Sequence, residues 1–181
     1  LQPRPALPLL LLLFLSRAPA QLSCPTGLTL VTSGAYSWCY SSSTTNFATA
    51  ASTCTSNGLQ MIELRTAEKA AAFDAVATND YCWLGITCPG VNGVAPGTAA
   101  STQCQRNLQM WRWSSDGVAL DQTFNAFAQG SSGPDYNYLG VVSGEACGHY
   151  WQSGGTKWAL QTCAQPNMYG TACEAVPSPP P

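Results

Sequence analysis

Nine cysteines, at positions 24, 39, 54, 82, 88, 104, 147, 163 and 173, constrain this 181-residue chain more than any other feature. What they mean depends on the compartment, and the N-terminus supplies one. Arg4 precedes an apolar run from Leu7 to Leu15, broken only by Pro8, and Ala18-Pro19-Ala20 then gives the small-x-small pattern of a signal-peptidase site. The run is about nine residues long, where a membrane helix needs roughly twenty. Residues 1–20 therefore read as a cleaved secretory leader, with Gln21 as the mature N-terminus. In an oxidising compartment the cysteines read as a disulfide framework. No C-x-x-C pair occurs, which removes the commonest zinc and redox spacings. Nine is odd, so one thiol is left over or bonds to another molecule.

The remaining length suits one domain, residues 21–174, followed by a proline-rich tail, 175–181, that runs extended as polyproline II. Only 9% of residues are charged, against roughly a quarter in an average domain. Two of the seven basic residues, Arg4 and Arg17, leave with the leader, so five face nine acidic ones. A mildly acidic chain without a basic cluster is a poor match for nucleic acid or an anionic membrane. No segment after Ala20 is apolar for long enough to span a bilayer.

Local patterns alternate between strand and helix. Leu28 to Val31, a turn at Ser33-Gly34, and Tyr36 to Tyr40 predict a hairpin. Phe47, Ala50, Ala51 and Cys54 share one face at helical spacing, with Thr44, Thr45 or Asn46 as N-cap and Gly58 as the stop. A strand is expected over Leu59–Leu64, then a helix over Thr66–Thr78 with Phe73 and Val76 inward. Tyr81-Cys82-Trp83-Leu84-Gly85-Ile86 has the length and flanks of a buried strand. Trp111 and Trp113 fall on one face of another, with Arg112 on the opposite face and Asp116-Gly117 supplying a turn. Residues 88–108 and 121–144 read as long loops.

These elements in this order resemble the C-type lectin-like domain in its long form, over residues 24–174. The matching motifs are Trp38-Cys39-Tyr40, Phe47-x-x-Ala50-x-x-x-Cys54, Gly58-Leu59, Glu68, Trp83-Leu84-Gly85-Ile86, Trp111-x-Trp113, Gly144-Glu145-x-Cys147, Trp158 with Cys163, and Cys173-Glu174. The resemblance implies an α+β fold: two helices flanking small antiparallel sheets, a long loop region, and disulfide staples. It implies the bonds Cys24–Cys39, Cys54–Cys173 and Cys147–Cys163. An extra bond is expected at Cys88–Cys104, with Cys82–Cys88 as the alternative and Cys82 otherwise the odd thiol.

The resemblance also implies where a calcium-dependent sugar site would lie. Calcium takes six to eight oxygen ligands. The family's Glu-Pro-Asn motif falls on Gly133-Pro134-Asp135, which loses its first carboxylate. The family's Trp-Asn-Asp motif falls on Trp158-Ala159-Leu160, which loses both ligands. Asp135 and Glu145 remain as residual metal candidates, and two carboxylates alone repel each other. No cofactor is therefore expected, calcium included. A ligand would instead meet aromatic faces, which stack on sugar C–H groups; Asp135, Glu145, Tyr136, Tyr138 and Trp151 are the candidate binding residues, with Phe124 and Phe127 in the same region.

Catalysis has little support. His149, the only histidine, sits two residues from a cysteine that the resemblance places in a disulfide, and no nucleophile or phosphate-binding fingerprint is present. Glu63 and Glu68 could form a carboxylate pair, although Glu68 falls on the second helix. Cys82 between two aromatics reads as a buried thiol. The expected function is a secreted, extracellular recognition module for a glycan or protein ligand; the alternative is a structural component of an extracellular matrix or cell wall, with the proline tail carrying the interaction.

Overall fold

The computed structural model describes residues 22–77, 82–88, 111–120, 129–130, 133–134, 146–150, 158–164, 166 and 169–177. Its first elements are the expected hairpin, β1 (Thr29–Ser33) and β2 (Tyr36–Thr45), paired from Ser33↔Tyr36 out to Thr29↔Tyr40. Gly34 turns the chain with φ 59°, a left-handed conformation that glycine adopts without a Cβ penalty. Helix α1 (Phe47–Thr55) starts where Asn46 accepts the Thr49 N–H at 2.8 Å, and Gly58 follows its end at φ 69°. Ala50 and Cys54, one turn apart, are its buried residues.

Strand β3 (Leu59–Met61) is shorter than the run of apolar residues. Ile62 and Leu64 remain fully buried, but pairing stops because the Glu63 N–H turns to a side chain, the Glu174 carboxylate, at 3.0 Å. Helix α2 (Ala67–Asp74) begins at Thr66, whose hydroxyl accepts the Lys69 N–H. It ends four residues before the expected Thr78, which corrects the orientation expected for Val76. The N–H groups of Val76 and Ala77 both bond to the Phe73 carbonyl, at 3.2 and 2.9 Å. That tight turn leaves Phe73 and Ala77 buried and Val76 39% exposed.

Strand β4 (Cys82–Cys88) is buried at six of its seven positions, as its composition predicts. It pairs antiparallel with β5 (Arg112–Trp113) and with β8 (Ala146–Tyr150), which in turn pairs with β9 (Trp158–Thr162). Strand β10 (Tyr169–Ala175) pairs antiparallel with β2 and β3. The two antiparallel ladders meet through one parallel bridge, Gly170↔Cys82, so the expected small sheets join into one of eight strands. Within the stretch expected to be irregular, β6 (Gln129–Gly130) and β7 (Gly133–Pro134) form a separate short ladder. The other residues of the two expected long loops beyond Cys88 lie outside the described residues.

Three disulfides form as the resemblance implies: Cys24–Cys39, Cys54–Cys173 and Cys147–Cys163, with Cα separations of 5.3, 5.4 and 5.0 Å. Cys88 is disulfide-bonded while Cys82 is a buried thiol, which removes the Cys82–Cys88 alternative; Cys104 lies outside the described residues. The main core gathers Trp38, Phe73, Tyr150, Leu84, Ile86, Trp111 and Trp158 between sheet and helices. Phe73 links Trp38 to Tyr150, with ring centroids 5.1 and 5.0 Å away.

Candidate ligand-binding surface

Asp135, Tyr136, Tyr138, Glu145 and Trp151, the candidate binding residues, all lie outside the described residues. What is described is the scaffold from which they extend. Asp135 follows β7, Glu145 precedes β8, and Trp151 follows it. Strands β8 and β9 pair over five positions, from Ala146↔Thr162 to Tyr150↔Trp158, and Cys147–Cys163 ties the far end of this ladder. Gly148 is needed there for close approach: a Cβ at this position would lie 3.0 Å from the Ile86 Cβ.

The core side of the scaffold is aromatic. Trp158 is buried and sits edge-on to Trp113, at 6.1 Å and 81°. Of the adjacent pair Tyr150-Trp151, Tyr150 faces the core. Its hydroxyl donates to the Asp74 carboxylate, and burial together with that carboxylate raises its pKa. His149 stacks on Tyr169 at 4.0 Å and 12° and meets the Trp83 edge at 6.2 Å. Burial pushes its pKa down to about 3, so the imidazole is neutral at physiological pH. Its neighbour Cys147 is held in a disulfide. Among the described residues no cluster of three or more His, Cys, Asp or Glu is arranged to hold a metal ion.

Two carboxylates are buried that sequence reasoning named only in passing, Glu63 as half of a possible pair with Glu68 and Glu174 within the Cys173-Glu174 motif. Glu63 is fully buried and accepts from the Arg65 Nε at 2.8 Å, the Arg65 Nη2 at 2.5 Å, the Ser115 N–H at 2.9 Å and the Ser115 hydroxyl at 3.0 Å. Arg65 also pairs with Asp116 at 2.8 Å and lies 5.2 Å from the Trp113 ring centroid. Burial works against the guanidinium charge, but Glu63 and Asp116 outweigh it and raise its pKa. Glu174 accepts from the Gln60 amide at 3.1 Å and from the Glu63 N–H, and it pairs with Lys69. Glu68, by contrast, is exposed in the first turn of α2, so Glu63 and Glu68 do not form the carboxylate pair weighed from sequence. The signal for Glu63 was its place between Ile62 and Leu64, with a cation two residues on.

This polar system also explains a glycine. A Cβ on Gly85 would lie 2.8 Å from the Glu63 Cγ and 3.1 Å from the Met61 carbonyl oxygen. The Gly85 N–H and C=O bond instead to the Ile62 carbonyl at 2.8 Å and the Ser114 N–H at 2.9 Å. Trp83-Leu84-Gly85-Ile86 is therefore a strand with a gap cut for a carboxylate. It positions the β5 turn against the loop that precedes α2.

The sequence matches no family model and no curated protein. Solved structures do match the fold. A human scavenger receptor C-type lectin carbohydrate-recognition domain superposes with a TM-score of 0.52 at 19% identity, covering 83% of this chain and 97% of that one. TC14, a C-type lectin from the tunicate Polyandrocarpa misakiensis, gives 0.52 at 17% identity, covering 78% and 98%. The cow C-type carbohydrate-recognition domain of CD23, solved in the presence of a GlcNAc2Man3 oligosaccharide, gives 0.53 at 14% identity, covering 86% and 98%. With the order of its elements, its three staples and the two ladders joined at Gly170, the chain folds as a C-type lectin-like domain.

Proposed function

We propose that the chain is a secreted recognition module that binds a glycan or an extracellular protein through its long-loop region, without the family's calcium coordination. The observation that carries this reading is the pair Ala159 and Leu160 on β9, directly after the buried Trp158. At the positions where the resemblance expects two oxygen ligands, neither residue type has a side-chain oxygen to give. Gly133 in place of the first carboxylate of the other motif supports the same conclusion. Likeness to domains named for carbohydrate recognition supports a glycan as the first ligand class to try. The three disulfides, with the apolar run from Leu7 to Leu15 read as a leader, support an extracellular location.

The test is a glycan array probed with the oxidised chain in millimolar calcium and again in excess chelator. Saturable binding that survives the chelator is the expected result. Binding that the chelator abolishes, together with a calcium-dependent rise in melting temperature, would show an ion bound to the folded state and overturn the calcium-free reading.

A further inference from the structure

The N-terminal hairpin has an open side. Among the described residues β1 pairs with β2 alone, so no described strand bonds to its other edge. The hairpin closes at Ser33↔Tyr36 over two residues, and antiparallel pairs alternate between bonded and non-bonded. Thr29, Val31 and Ser33 therefore bond inward, while Leu30 and Thr32 turn their N–H and C=O outward. Soluble proteins normally blunt such an edge with charge, proline or a bulge. Strand β1 has none of these, and no Asp, Glu, Lys or Arg occurs anywhere from Ala18 to Ile62.

Beside this edge lies an apolar groove between the hairpin and the end of α2. It is lined by Val31, Trp38, Tyr40, Phe73, Val76 and Ala77. Its cavity volume is about 30 Å³, far below the roughly 300–1,000 Å³ of small-molecule sites, so it can take no more than a small side chain. The short turn that ends α2 leaves Val76 at the rim, 39% exposed. Edge and groove share one residue, Val31. A strand added beside β1 places the side chain opposite Val31 on the same face, over the groove.

We propose that this edge and groove together dock an extended, uncharged peptide segment of another extracellular protein, added as a strand beside β1 with one aliphatic side chain in the groove. Main-chain bonds to Leu30 and Thr32 supply affinity, and the groove selects the side chain. A charged residue placed there would lose water and gain no counter-charge, which restricts the partner to uncharged sequence. This inference is separate from the loop-region reading and stands or falls without it.

The probe is a short blocked peptide of alternating threonine and valine, titrated into the full oxidised chain by NMR. Saturable shifts centred on Leu30, Thr32 and Val76 are the expected result. Leu30→Pro removes one outward donor without touching the β1–β2 bonds, and weakens binding about fivefold, the worth of one exchanged hydrogen bond. Val76→Asp charges the groove rim and weakens it at least as much. A peptide N-methylated on the amides facing β1 fails to bind, whereas methylation on the alternate amides is tolerated. Equal binding of both methylated peptides, or unchanged binding to Leu30→Pro, overturns the proposal. So does a sedimenting dimer with the Leu30 and Thr32 amides protected from exchange, since a second copy would then occupy the edge. Disulfide content and melting temperature of each variant separate loss of binding from loss of fold.

Discussion

His149 makes acid stability a sharp test of the packing around β8. In the folded chain its pKa is held at about 3 by burial, against 6.5 for an ordinary histidine. Between those values the unfolded chain binds a proton that the folded one refuses. Stability must then rise with pH across the window: the contribution is intact above pH 6.5 and is lost as the pH falls toward 3. The slope is about 1.4 kcal/mol per pH unit, so going from pH 6 to pH 4 removes about 2–3 kcal/mol on this account alone. The perturbation is His149→Phe, which keeps a ring between Tyr169 and Trp83 and deletes the titration. Its Nδ1 is buried without a hydrogen-bond partner, so the substitution strands nothing. Urea unfolding of both oxidised proteins at closely spaced pH values gives the difference curve. Titrations common to both proteins cancel in the subtraction. The wild type should lose stability relative to His149→Phe by about 2–3 kcal/mol over that range. Two curves that run parallel from pH 6 to pH 4 would refute the burial argument.

Three further outcomes follow from the same packing. Gly85→Ala forces a Cβ to 2.8 Å from the Glu63 Cγ, and should destabilise by about 1–3 kcal/mol in chemical unfolding; a neutral effect would mean that β4 and the Glu63 loop are not rigidly apposed. Glu63→Ala leaves the Arg65 guanidinium and the Ser115 N–H without their shared acceptor. With the Arg65 side chain 34% exposed, the cost falls near the low end for a broken buried pair, about 3 kcal/mol, read as a fall in melting temperature. Replacing both Cys54 and Cys173 by alanine opens a crosslink across 119 residues, for which chain entropy gives about 4–5 kcal/mol; a loss under about 1 kcal/mol would show that the reduced chain is already constrained.

The hairpin, α1 and β4 were legible because each carries its own punctuation. Gly34, Asn46, Gly58 and the β-branched or aromatic ends of the β4 run mark the elements locally, although pairing carries β2 on from Tyr40 to Thr45 and shifts β4 from Tyr81–Ile86 to Cys82–Cys88. Helix α2 was misjudged at its C-terminal end because no glycine or proline closes the pattern after Asp74. Alanine supports helix equally at 71, 75 and 77, so the stop is set by the turn on the Phe73 carbonyl. The strand expected over Leu59–Leu64 read as one run because apolarity continues after pairing ceases. The contacts of the buried carboxylates were illegible for a different reason. Glu63 has a local signal in its apolar flanks and in Arg65, but its Ser115 partner lies 52 residues away and the Lys69 partner of Glu174 lies 105 away, and no local pattern carries those contacts. The loop aromatics and Asp135 and Glu145 stay where the sequence left them, as expectations on segments outside the described residues.

The Cys24–Cys39 and Cys54–Cys173 bonds also define how this domain would carry tension. A load entering at Cys24 crosses to Cys39, runs along β2 and α1 to Cys54, and crosses again to Cys173. Everything else is bypassed: the hairpin turn, α2, β4 and both long loops hang from that path without bearing it. Under force only the segment between Cys39 and Cys54 can be drawn straight, to roughly 50 Å at full extension, where a reduced chain from 24 to 173 would reach roughly 500 Å. A domain of this kind, set in a pulled extracellular assembly, lengthens little while the load passes beside α2 and β4.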